Sequence, residues 1–189
     1  MANKDAAFGL RAIGKVGQNR VNQGLSEYDI AASATAIYQN DPVEMLATGT
    51  IGVAAAGDVL LGALNGVFFT DASTSKPTFA NHLKASNTAT DIVGFVADDP
   101  YERFEVQSDN TGASLQTDIG NVADIVYAAG SSPNFVSKVE LDDSDLATSD
   151  GQLKVIGLSK DPDNNDLTSA NVNWVVTINE HFLKKEAGI

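Results

Sequence analysis

Apolar and polar positions alternate along this chain in short bursts, separated by Gly, Asn, Asp and Pro, and no stretch sustains helical spacing long enough for an amphipathic helix. The clearest burst is IVGFVADDPYERFEVQ. Ile92, Val93, Phe95 and Val96 form a β-branched run, Asp98-Asp99-Pro100 stops it, and Phe104 and Val106 resume an every-other-residue pattern with Glu105 and Gln107 on the opposite face. Proline has no N–H for a ladder and pushes the residue before it out of the helical region, while a short Asp side chain can hold a turn. The pattern therefore predicts strand, acidic turn, strand, as a central hairpin. The same punctuation stands at Asn40-Asp41-Pro42 and again at Asp161-Pro162-Asp163, after the apolar run of Val155 to Leu158.

Elsewhere, residues 26–48 read as two short strands broken at Asn40-Asp41-Pro42. Four glycines between Thr48 and Ala63 argue against a helix over the alanine run. DVLLGAL and GVFFT predict two strands turned at Asn65-Gly66, a strong hairpin signal. Further strands are expected within 78–83, 122–128 (or one helical turn), 135–141, 153–158 and 172–179, the last anchored by Trp174. About ten to twelve short strands without a long helix predict an all-β fold, a compact β-barrel or β-sandwich. Residues 1–25 carry neither period and are punctuated by Gly9, Gly14, Gly17 and Gly24. They read as an extended N-terminal arm, leaving 26–189 as a single β-rich domain.

Composition changes this picture in two ways. The chain has 189 residues and no cysteine, so disulfides and thiolate sites drop out, and its length suffices for a core without staples. No run approaches the roughly 18 apolar residues of a membrane span, and no secretory leader is expected at the start. The charge is uneven. Residues 1–20 hold Lys4, Arg11, Lys15 and Arg20 against Asp5 alone, a net +3, so the rest carries −16 of the total −13. An acidic body repels phosphate backbones, which disfavours nucleic acid as a partner. A basic arm is either solvated or docks on an acidic surface of another subunit.

Candidate chemistry is sparse. His82 and His181 are the two histidines, and the sequence holds no GxSxG, HExxH, Walker or GxGxxG motif, so no catalytic residue is assigned. Asp161, Asp163, Asn165 and Asp166 offer oxygens at calcium-loop spacing. Asp166 stands where an EF-hand needs Gly, however, and Val172 where it needs a bidentate carboxylate, so a self-bonded turn is expected and no metal or cofactor is assigned. Asp142, Asp143 and Asp145 are expected as a solvated acidic loop. Phe68, Phe69, Phe95, Phe104 and Trp174 read mainly as core. Adjacent Phe68 and Phe69 must face opposite ways in a strand, so one of them needs cover from a packed sheet, the arm or another subunit.

Several phrases in order, among them NKDAAFGLRAIGKVG, YDIAASATAIYQNDPV, GVFFTD, DIVGFVADDPYERFEVQSD, TDIGNVADIVYAAG, VELDDSDLATSDGQLKVIGLSKDPDNND and WVVTINEHFL, resemble the capsid decoration (cement) proteins of tailed bacteriophages. The resemblance runs over nearly the whole chain and carries no catalytic residues. It implies a non-enzymatic virion protein, assembled in the host cytoplasm, on the outer surface of an HK97-like capsid. Such a protein clamps neighbouring capsomers, as a homotrimer, with the major capsid protein as partner and neither membrane nor direct nucleic acid involved. On that reading Lys4, Phe8, Arg11, Lys15 and Arg20 form the arm's contact with capsid or subunit, and Phe68, Phe69, Phe95 and Trp174 are oligomer or core anchors. Another virion role (head fibre, minor capsid or tail protein) and a glycan-binding β-barrel at the host surface are the alternatives.

Overall fold

In the computed structural model, which describes residues 2–17, 24–109, 114–147 and 149–184, the strands follow the apolar bursts closely. They are β1 (Arg11–Lys15), β2 (Ser26–Asp29), β3 (Pro42–Met45), β4 (Ile51–Val53), β5 (Leu60–Thr70), β6 (Pro77–Ala80), β7 (Val93–Ala97) and β8 (Glu102–Gln107). Then come β9 (Val122–Ala123), β10 (Ile125–Val126), β11 (Glu140–Leu141), β12 (Leu153–Leu158) and β13 (Asn173–Ile178). Helix is confined to three single 3₁₀ turns among the described residues. One sheet runs β1-β8-β13-β12-β9; the other runs β2-β7-β5-β3-β4, with β6 also on β5; β10 and β11 form a ribbon. All strand pairings are antiparallel, and the fold is all-β as expected.

Two apolar cores hold these layers. The first centres on Trp174, Phe104, Val106, Val155 and Val176 of the β1-containing sheet and takes in Leu60, Ala63 and Ala97 from the other sheet. The second lies on the opposite face of that other sheet, where Leu61, Leu64, Val67 and Val96 meet Ile30, Ile37, Leu83 and Ile92 from connecting segments. Gly62 marks the closest approach within the sheet. A Cβ there would lie 2.2 Å from the Ala97 carbonyl oxygen, closer than any side chain permits.

Four expectations are corrected. The Asp98-Asp99-Pro100 turn does not close a hairpin, because β7 lies in one sheet and β8 in the other; the turn is a corner that carries the chain between layers. The Asn65-Gly66 pair does not turn the chain either. β5 runs straight through it as one strand of 11 residues, and the register against β7 slips between Leu64 and Gly66, leaving Asn65 exposed in a bulge. β5 has strands on both sides along its length, so continuing the ladder keeps its backbone paired where a turn would end it. The alternating stretch 135–141 supplies β11 and parallel bridges from Val136 to Gln39 and from Leu141 to Ser108 in place of one long strand.

The fourth correction concerns the arm. Residues 2–15 are not a loose leader: β1 is an edge strand on β8, and Leu10 is fully buried in the first core. The segment is seated on all three Asp-Pro punctuation points. Lys4 pairs with Asp163, and its carbonyl accepts from Asn164 Nδ2 at 2.7 Å. The Phe8 carbonyl accepts from Asn40 Nδ2 at 3.0 Å, and the Leu10 N–H donates to the Asn40 carbonyl at 2.9 Å. Lys15 Nζ reaches Asp99 Oδ2 at 2.5 Å. Gly9 is required in this seat. Its φ is +73°, and a Cβ would fall 2.4 Å from both the Asn40 oxygen and Ser137 Cβ.

Candidate functional site: an exposed aromatic sheet face

The site is built by the bulge at Asn65. Beyond it β5 resumes strict alternation, so Val67 and Phe69 turn into the second core and Phe68 turns out. Register fixes what stands beside Phe68 on that outer face: Phe79 across β6, and Val93 then Asp29 across β7 and β2. One rung along, Gly66 faces Phe95, and Phe95 faces Glu27. Gly66 lacks a side chain, so the Phe79 and Phe95 rings approach over it, with centroids 6.2 Å apart; Phe68 and Phe79 are 4.8 Å apart. Phe79 is 74% exposed, the largest exposure among the exposed large hydrophobic residues.

Polar groups border these rings. Asn65, Gln39 and Asn81 line a shallow groove beside Phe79 and Phe95, and Leu25 lines both it and a neighbouring cavity of about 330 Å³ between the sheets. Exposed Glu27 and Asp29 stand along the β2 edge. At the other end Asp91 accepts the Thr70 N–H at 3.0 Å, and Asp71 holds the following turn through Ser73 and Thr74. Hydrogen bonds from those partners keep the Asp71 carboxyl down at about 2 and hold Asp91 below the usual range as well, so both stay charged. Lys76, in the loop after Asp71, is the nearest basic residue in sequence on this side. Glu27, Asp29 and Asp91 thus border the aromatic centre, while Asp71 lines a groove with Phe69 and Lys84.

The residues assigned from the sequence fall into distinct places. Phe68 and Phe95 belong to this face; Phe69 packs against the second core; Phe104 and Trp174 are buried in the first. Lys4, Arg11 and Lys15, expected to reach another subunit, each pair with a carboxylate of their own chain: Asp163, Glu105 and Asp99. Phe8 lies under the Arg11 guanidinium, 4.6 Å from it, and Arg20 falls outside the described residues. Sequence reasoning missed Phe79, Glu27 and Asp29. The alternation of PTFA around Phe79 was available as a signal, but only the strand pairing brings β6 and β2 onto one face with Phe68 and Phe95.

Neither histidine is arranged as a free base at this face. His82 stacks on Phe135 with ring centroids 3.9 Å apart and bonds Asn81 through Nδ1. His181 is 2% exposed, and its Nδ1 accepts the Leu183 N–H at 3.1 Å, leaving Nε2 to carry the proton. The loop Asp161–Asp166 is occupied by turn bonds and by the arm: Asp161 Oδ1 accepts the Asp163 N–H, and Asp166 Oδ1 accepts from Thr168. In the 142–145 segment Asp142 and Asp145 accept backbone bonds near solvent. Asp143 departs from the expected solvated loop, since burial first, then neighbouring carboxylates, push its carboxyl up to about 7.

Burial pushes His181 down to about 4, which gives a signed prediction. The unfolded chain protonates this histidine near pH 6.5 and the folded chain only near 4, so its contribution to stability is complete above 6.5 and is lost as pH falls toward 4. The shift corresponds to up to about 3 kcal/mol. Asp41, pushed up to about 6 by burial, acts with opposite sign and gains stability over the same fall in pH. Replacing His181 by Gln should therefore flatten the acid limb. The stability gap between wild type and His181→Gln, followed by urea denaturation, should shrink between pH 7 and pH 4; a constant gap would contradict the placement.

No protein-family model, curated protein or solved structure matches this chain.

Proposed function

We propose that this chain is a non-enzymatic structural protein of a tailed-phage virion, one that attaches to the outside of an HK97-like capsid and holds neighbouring capsomers together. The observation that supports this reading is an aromatic cluster on one face of a sheet. Phe79 is exposed, with half-buried Phe68 and Phe95 packed beside it on one sheet that a core supports on the opposite side, in a chain whose phrases resemble the decoration family throughout. Aromatic anchors on a rigid surface suit attachment, because little conformational entropy is lost on contact. A trimeric arrangement fits the same reading, with several weak contacts per assembly adding to firm retention.

The test is sedimentation of purified protein with expanded, undecorated shells. Bound copies should saturate at a fixed ratio to capsid subunits, either one to one or a simple fraction of it. Protein left wholly in the supernatant at saturating shell concentrations would end the reading. The second reading, a glycan-binding barrel at the host surface, is favoured by the side-chain amides of Asn65 and Asn81 beside Phe79, and a glycan array would then be the next measurement.

A further inference from the structure

The aromatic face has a chemistry that constrains what can sit on it. Its centre is Phe68, Phe79, Phe95 and Val93, on strands whose registers place them side by side. Its rim is Glu27 and Asp29 on the β2 edge, with Asp91 at the end, where it holds the Thr70 N–H. A second copy is a poor occupant. Two-fold pairing of this face sets Glu27 and Asp29 of one copy against the same row of carboxylates in the other, with aromatic contact forcing the like charges close. The arm's basic residues Lys4, Arg11 and Lys15, which would be the natural complement, are already engaged within the chain.

We propose that this face is the docking surface for a different protein, whose contact area is apolar at its centre and basic at its rim, and that it is not a self-association face. This rests on the shell reading above, in which that partner is the capsid subunit. The aromatic rings supply the residence time, and the acidic rim supplies orientation and a salt-sensitive on-rate. The capsid contact predicted for the basic N-terminal arm thus moves to an acidic surface elsewhere on the molecule.

Two variants test this in the shell-sedimentation assay. Phe79→Ser removes a side chain that is mostly in solvent, so the fold is kept, and it should weaken binding about tenfold or more. Glu27→Lys with Asp29→Lys reverses the rim and should likewise reduce bound copies, most at low salt. Raising salt from about 50 to about 300 mM should weaken the wild type and narrow its advantage over the double variant. If wild type binds the shell and both variants bind equally well, the face is wrong while the shell reading stands. If wild type does not bind at all, the reading falls and this proposal with it. Sedimentation velocity supplies the remaining arm: a wild-type oligomer that Phe79→Ser dissociates would overturn the claim that the face avoids its own kind.

Discussion

A chain lacking residues 2–15 should fail to fold cooperatively. Removing them takes away β1 and leaves one side of β8 unpaired. It withdraws Leu10 from the first core, and truncating one buried leucine costs about 2–5 kcal/mol. It also strips partners from buried polar groups. Gln107, 1% exposed, donates to the Lys4 carbonyl at 2.9 Å and accepts the Ala6 N–H at 2.8 Å; Glu102, 4% exposed, accepts the Gly14 N–H at 3.1 Å. Each buried group left without its partner costs about 1–3 kcal/mol. Together these losses reach on the order of 5–10 kcal/mol, the whole stability of an ordinary domain. Urea denaturation followed by circular dichroism would check this. A sharp transition at the wild-type midpoint would show that the segment is dispensable, as the arm reading from sequence would have it. Lys4→Ala provides the contrast: its side chain makes an ion pair at the surface, so its loss should barely move the midpoint.

The second large effect is at Trp174. It sits in β13, the central strand of its sheet, fully buried, with Val106 of β8 and Leu158 of β12 opposite it. Trp174→Ala should cost about 3–5 kcal/mol, because the surrounding strands cannot close over the space left behind. Its indole Nε1 has no hydrogen-bond partner among the described residues. Trp174→Phe removes that unpaired donor along with part of the ring and should cost only about 1–2 kcal/mol. Thermal melts of the three proteins, read by far-ultraviolet circular dichroism, give the comparison. Equal costs for Phe and Ala would mean that the indole N–H has an acceptor after all. An unmoved Ala midpoint would remove Trp174 from the core.

How much of this was legible beforehand follows from what period-two patterning encodes. It gives strand identity and facing: β12 and β13 sit where Leu153 to Leu158 and Val172 to Asn179 alternate, and Trp174 is in the core as its strand pattern indicates. Partner choice is not encoded in that way. Asn65-Gly66 carries a turn's chemistry yet serves as a bulge, because strands distant in sequence bind β5 on both sides. Asp98-Asp99-Pro100 was legible as a turn, but its role as a corner depends on β7 and β8 finding different neighbours. The arm was missed for a related reason. Gly9 and Gly14 break the alternation around β1, although Gly9 is what lets the segment lie flat against Asn40 and Ser137. Of the candidate site, Phe68 and Phe95 could be named from sequence as residues in need of cover. Phe79, Glu27 and Asp29 could not be joined to them without the pairing of β6 and β2.

The seating of residues 2–15 also sets an order of events during synthesis. Asn3 hydrogen-bonds the carbonyls of Asp166 and Ala170, which follow it by 163 and 167 residues. At about 5–20 residues per second, Asn3 would wait roughly 8–30 s for those partners to be made. Until then Phe8 and Leu10 have no native core to enter, and the basic charge and glycines around them keep the segment from collapsing early onto itself. Closure of so long a loop places this protein among chains whose folding is limited by topology, in the millisecond-to-second range once synthesis is complete. Residues 2–15 are made well before the segments that seat them and are among the last to be placed.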